Sequence, residues 1–437
     1  MAPSPDRFEP TWESLANYTA PDWYQDGKFG IFIHWGLYAV PAFGNEWYPR
    51  NMYQQGSKEF AHHVATHGPQ ERFGYKDFIP RFTAEHYDPD HWAGLFRQAG
   101  AKFVVPVAEH HDGFANWPSA TTDFSVARSS WRAGQGDVVR EFTDACHRYG
   151  LKVGLYYSPY DAASPVYADE RAYDDYFLTQ VSELLVPYGQ IDILWFDGCG
   201  SEGHQYDWPR LMAEVRRMQP ELLIFNEGDP DIRWIGNEDG YAPLGTRNVK
   251  DGRWLCPECD ARLRENNWFY SAGDAHTVKS VDELMGMYDL SCGRGSNLLL
   301  NVGPDRRGLL PEADAARLVE FGRALERRVA HPIATLADCR REGNAWAVEA
   351  KPYLVADHAV IGEETALGEH IRRFALVAET PHGGKRITLF EGQSVGQRAI
   401  CRFPTVHARR LWLEVTEAEG EVSLSRLEWH HAGDASR

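Results

Sequence analysis

The segment DVVREFTDACHRYGLKVGLYYS (137–158), followed at 191–198 by IDILWFDG, sets the architecture. Val138, Val139, Phe142, Ala145, Cys146 and Tyr149 recur at helical spacing behind Asp137, an N-cap side chain, and Gly150 stands where a left-handed C-terminal residue belongs. The spacing predicts a helix over 138–149 and then a buried strand in KVGLYYS (152–158). A second helix carries Tyr173, Phe177, Val181, Leu184, Leu185 and Tyr188 on one face, ahead of the strand in 191–198. Strand, helix, strand in that order is the unit of a parallel sheet.

Working outward, FGIFIHWG (29–36) and KFVVPVAEHHDGF (102–114) precede this unit, and LLIFNE (222–227) and NLLLNVGP (297–304) follow it. A closing helix bears Leu318, Phe321, Leu325 and Val329. An open doubly wound sheet and a closed (β/α)8 barrel both give this alternation. The barrel is favoured because no glycine-rich phosphate loop is present, and because polar and aromatic residues gather where strands end, the edge on which barrel sites are built. Beyond about residue 335 the helical period gives way to alternating runs such as AWAVEA, RFALVAE and RLWLEVTE. The expected organisation is therefore an α/β, (β/α)8-like catalytic domain over 1–335 and a small antiparallel β-sandwich over 336–437.

The chain has 437 residues, ample for a large core, and its 15 Trp, 20 Tyr and 21 Phe serve either as core or as platforms for ligands with apolar faces. A net charge of −18 opposes nucleic acid and anionic membrane surfaces as partners. No apolar run is long enough to span a bilayer, and Met1 to Arg7 lack a leader's basic-then-apolar pattern, so a cytoplasmic protein is expected. Seven cysteines without framework spacing read as reduced thiols, and Cys256-x-x-Cys259 has no second pair to complete a zinc site.

The predicted strand ends collect His34, Trp35, Glu46, Trp47, Glu109, His110, His111, Asp112, Tyr156, Trp195 and Asp197. Core packing explains Trp35, Trp47, Tyr156, Trp195 and Trp268 less well than ligand contact does. Imidazole and indole N–H groups would donate to hydroxyls, carboxylates would accept, and rings would pack on a pyranose. Asp197 ends the apolar run Ile193 to Phe196. It is either a turn residue before Gly198 or a carboxylate used in chemistry. His110 and His111, as neighbours on a strand, point to opposite sides, so no metal site is expected.

These residues resemble a known family. KFGIFIHWGLYAVPAFGNEWYPRNMY, YKDFIPRFTAEHYDPDHWAGLFRQAGAKFVV, HHDGFANWPSATTDFSV, GLYYS, LWFDG and NLLLNVGPDRRG, in order over about residues 10 to 330, are similar to glycoside hydrolase family 29, the α-L-fucosidases. The resemblance implies a barrel followed by a β-sandwich, a retaining double displacement and no metal or organic cofactor, on a fucosylated oligosaccharide. It makes Asp197 the nucleophile, with His34, Glu46, Trp47, His110, His111 and Tyr156 as sugar contacts and Trp195 beside them. Glu238 of WIGNEDG is the implied acid/base, with Glu258 as the alternative. Both surrounding segments resemble the subgroup that prefers α-1,3/1,4-linked fucose. Arg233, a cation near Asp197 or a substrate hydroxyl, would hold the nucleophile ionised, and Trp268 would face the fucose methyl. Asn226-Glu227 and Cys256 depart from the family pattern and are expected to stand clear of Asp197. A catalytically silent fucose-binding protein, a broad-specificity fucosidase and a glycosidase for other sugars are the competing readings.

Overall fold

The computed structural model describes residues 21, 23–24, 28–247, 249–250, 253–265, 267–329, 331–365 and 369–433. The Met1 to Arg7 segment read for a leader lies outside them.

Eight strands close into a barrel: β1 Phe29–Ile33, β2 Phe103–Glu109, β3 Lys152–Tyr157, β4 Ile193–Phe196, β5 Leu223–Phe225, β6 Ile232–Trp234, β7 Cys256–Arg262 and β8 Asn297–Val302. From β1 to β6 each strand pairs in parallel with the next, with registers such as Tyr156 opposite Trp195. The closed barrel replaces the open-sheet alternative. The order around it is that of the sequence, because each strand returns through a helix or loop on the outside.

The predicted 137–198 unit holds in detail. The helix is Val138–Tyr149; Asp137 accepts from Arg140 N at 2.8 Å, and Gly150 takes φ 69°. Asp169 caps the next helix, Glu170–Leu185. That helix ends before Tyr188, which is nevertheless buried, its hydroxyl donating to Asp137 Oδ2 at 2.8 Å. Two barrel strands, β6 and β7, fall in segments that the sequence reads as loops. β6 has only three residues, and β7 alternates polar Glu258, Asp260 and Arg262 with Cys259 and Ala261, which inverts the usual signal.

The chain divides into two compact units, residues 1–233, 262–279 and 300–318 in one and 234–261, 280–299 and 319–437 in the other. In the first, Trp35 is 2% exposed and packs on Phe82, Tyr87 and Trp92, its indole donating to Asp305 O. It is a core residue, not the ligand platform expected of it. Buried Arg216 on the helix Trp208–Met218 donates to Asp231 Oδ2 at 2.6 Å and to Leu222 O, tying that helix to the segment around β5.

In the second unit one six-stranded antiparallel sheet is built around two long strands, Ala345–Glu363 and Ala399–Ala418. Register breaks near Glu349/Leu354 and Ala356/His358 let them run through both halves of the sheet. Trp346, Leu413, Ile361 and Trp429, drawn from both halves, share one core. The expected small antiparallel β-domain is thus a single curled sheet.

Removing Arg216 strands a buried carboxylate, so Arg216→Met is expected to lower the unfolding free energy by about 3–5 kcal/mol in denaturant titration. A loss below about 1 kcal/mol would show that the pair does not hold the helix.

Candidate active site

The strand ends of β1 to β4 deliver a continuous aromatic and polar surface. Tyr156, fully buried at the end of β3, donates its hydroxyl to Asp197 Oδ2 at 2.9 Å. The other oxygen, Oδ1, accepts from the amide of Cys199 at 2.9 Å. One oxygen thus closes a local turn, and the other faces Tyr156 and His111. The Asp197 side chain keeps 27% of its surface open. Tyr156 stacks on His110 on one side (5.2 Å, 7°) and on Trp195 on the other (5.3 Å, 20°). Trp195 is itself 5% exposed and stacked on Phe225 at 4.0 Å, so it lies as a floor beneath the site.

The histidines are set by their partners. His111 Nδ1 lies 2.6 Å from Ser158 Oγ, whose own proton goes to Tyr160 O, so Nδ1 is the donor. Burial lowers the pKa of His111, against the opposing charge of Asp197. In its neutral form Nε2, 3.7 Å from Asp197 Oδ2, is left as an acceptor. The same logic applies to His34. Its Nδ1 lies 2.7 Å from Asn301 Oδ1, and the Asn301 amide is oriented by donating to Trp268 O. Burial pushes His34 down to about 3 and holds His110 well below the ordinary histidine value. His34 and His111 therefore offer lone pairs to hydroxyl donors, the reverse of the donor role expected from sequence.

Trp47 stacks on His111 (4.9 Å, 22°) with Glu46 beside it, on the short turn that precedes the helix Tyr48–Asn51. Trp268 tilts against His34 at 5.1 Å. Two neighbours were not anticipated. Phe269 packs edge-on to both His34 and His110. Arg262, at the end of β7, lies over Trp268 at 5.3 Å, and its charge contributes to lowering His34. Arg233, the cation read from the sequence, is half-buried on β6. The signal for Arg262 was the alternation of Glu258, Asp260 and Arg262 on one face of β7.

Asn226-Glu227 does not stand clear of Asp197. A side chain on Gly198 would collide with Glu227 Oε1, and Glu227 is raised above an ordinary carboxyl by burial and by the Asp197 charge. Asn226 takes φ 66°, the left-handed conformation that turns the chain here. Cys256 is a buried thiol in no disulfide, as are Cys146, Cys259, Cys292 and Cys401.

In the second unit, Glu258 is fully buried on β7, and Glu238 is exposed on the loop after β6. A bridge between Asp239 and Ala261 pins that loop to the end of β7. Burial raises Asp260 far above an ordinary carboxyl, with Glu258 and then Glu238 adding to the effect. Among the described residues no group of three His, Cys, Asp or Glu could hold a metal ion, and no helix is long and apolar enough to cross a membrane.

Comparison with known proteins gives one answer. The family model described as alpha-L-fucosidase matches residues 1–329. Alpha-L-fucosidase 1 of Arabidopsis thaliana is 30% identical over 402 residues, covering 79% of each chain. Tissue alpha-L-fucosidase of Homo sapiens is 30% identical over 74% of this chain and 71% of its own. A crystal structure of a glycoside hydrolase 29 family member from an unknown rumen bacterium superposes with a TM-score of 0.80 at 28% identity, covering 95% of this chain and 78% of that one.

The contact between Glu227 and the Asp197 turn is testable by titration. Asp197→Asn removes the negative neighbour, so the Glu227 midpoint should fall toward an ordinary carboxyl when followed by 13C NMR of labelled glutamate. An unchanged midpoint would mean that burial alone raises it.

Proposed function

Since the chain belongs to the α-L-fucosidase family, glycoside hydrolase family 29, and is an α-L-fucosidase, we propose that it releases terminal α-L-fucose with retention, through a covalent fucosyl-enzyme on Asp197. The observation that carries this reading is the setting of Asp197. It is a partly open carboxylate at the end of β4, held by the Tyr156 hydroxyl and the Cys199 amide, with rings and neutral histidines packed around it.

In the first step Oδ2 or Oδ1 of Asp197 attacks the anomeric carbon, while a second carboxyl group protonates the departing oxygen. In the second step the same carboxyl, now a carboxylate, takes a proton from water as water attacks and Asp197 is released. Tyr156, kept protonated far above its ordinary range by burial, can donate to Asp197 throughout. His34 and His111 would accept from sugar hydroxyls, with Glu46, Trp47 and His110 completing the contacts. Trp268 would meet the C6 methyl, a role its half-buried ring beside His34 supports. Arg233 keeps the role of a cation near Asp197 or a substrate hydroxyl, and Arg262, over the Trp268 ring, adds its charge beside His34.

Glu238 is our acid/base. Its exposed loop is open to water, whereas Glu258 is closed within β7. The GNE-type loop also supports a preference for α-1,3/1,4-linked fucose.

Asp197→Ala is expected to lower kcat on 4-nitrophenyl α-L-fucoside by about three orders of magnitude or more, with sugar binding retained. Near-normal turnover would sink the assignment. Glu238→Ala should harm unactivated oligosaccharides far more than aryl fucosides, and azide should restore the rate as a fucosyl azide of retained configuration. The same signature in Glu258→Ala instead would move the acid/base there. A Lewis-type trisaccharide should be cleaved in preference to 2′-fucosylated lactose.

A further inference from the structure

A cavity of about 520 Å³ opens beside the candidate fucose site and shares Glu46, Trp47 and His111 with it as a wall. Beyond that wall it is faced by the rings of Tyr53, Tyr75, Phe124 and Tyr160. The rings are held in place. Tyr53 Oη accepts from the Tyr75 amide, and Tyr75 Oη donates to Asp112 at 2.7 Å. Flat, fixed aromatic faces at this spacing suit the apolar face of a second sugar ring.

Two cations line the same cavity. Arg50 lies over the Trp47 ring at 4.3 Å, and Lys76 over the Phe124 ring at 5.1 Å. Neither has a carboxylate within ion-pair distance among the described residues. Exposed cations elsewhere in this acidic chain commonly do, as in Arg128 with Asp123, Arg132 with Glu141 and Arg148 with Asp90. The cavity's Asp112 is already committed, accepting from Tyr75 Oη and from the Phe114 amide. Glu46, at the Trp47 end, is the other carboxylate of the lining. Arg50 Nε donates to Asn51 Oδ1 and the Lys76 charge acts on buried Asp161, yet the Arg50 Nη groups and the Lys76 ammonium, positioned by cation–π contact, keep donors to spare at an aromatic cavity one wall away from Asp197.

We propose that this cavity binds a second sugar of the substrate, one carrying a carboxylate or a sulfate ester, with Arg50 and Lys76 as its anion contacts. The proposal rests on the reading that Trp47, His111 and Asp197 surround the fucose. It makes acidic fucosylated glycans the preferred substrate class.

The test is competition against hydrolysis of 4-nitrophenyl α-L-fucoside by the full chain, which reports binding whether or not the competing linkage is cleaved. The competitors are a neutral Lewis-type trisaccharide, its sialylated form and its sulfated form. At low ionic strength one or both acidic forms should compete about tenfold more tightly than the neutral one, a margin that added salt erodes. Lys76→Gln should bring that ratio toward one, and Arg50→Gln should do the same. Because Arg50 also touches Trp47, Lys76→Gln is the variant that isolates the anion contact. A sialylated form favoured alone assigns the carboxylate, and both favoured equally assign charge. A wild-type ratio at or below one, or a ratio unmoved in both variants, overturns the proposal. Undiminished hydrolysis by Asp197→Ala would instead overturn the reading of the fucose site itself.

Discussion

The mouth of the barrel depends on one hydrogen bond, that from the Tyr156 hydroxyl to Asp197. Tyr156 can make it only because its ring is fixed on both faces, by His110 and by Trp195, and Trp195 is in turn fixed by Phe225. These contacts run from β2 to β5, so the position of one carboxylate is determined by four strands. The register that sets Tyr156 opposite Trp195 is what aligns the rings. A slip of one residue would turn them to the outer face.

Burial sets the chemistry of the groups around that bond. A protonated phenol donates, and neutral imidazoles with one nitrogen already committed are left to accept. The partners that fix His34 and His111 are uncharged, Asn301 and Ser158, so the tautomers are set without adding further charge to the site. The crowded carboxylate is Glu227, pressed against the turn that follows Asp197. Burial first, and then the Asp197 charge, favour the protonated form of Glu227 there.

Local signals were legible where residues serve the barrel wall. The helix 138–149 showed both caps, and β1 to β5 and β8 showed as apolar runs. β6 and β7 did not, because β6 is three residues long and β7 turns Glu258, Asp260 and Arg262 to one face. Trp35 and Trp47 look alike in sequence, each following a strand or turn next to a charged or imidazole residue. Only packing separates them, one closed among Phe82, Tyr87 and Trp92 and the other laid open on His111.

The sequence by itself determined the alternation of strands and helices, the all-β C-terminal part and the family, because each rests on periodicity or on motifs contiguous in the chain. It also singled out Asp197, since a carboxylate ending an apolar strand stands out locally. Tertiary structure alone decided the direction of the histidine hydrogen bonds, the approach of Glu227 to the Asp197 turn, the place of Arg262 beside Trp268 and His34 and the cavity that Arg50 and Lys76 share. Each of these depends on side chains tens to hundreds of residues apart. Their distances follow from strand register and barrel closure, which leave no mark on any one stretch of chain.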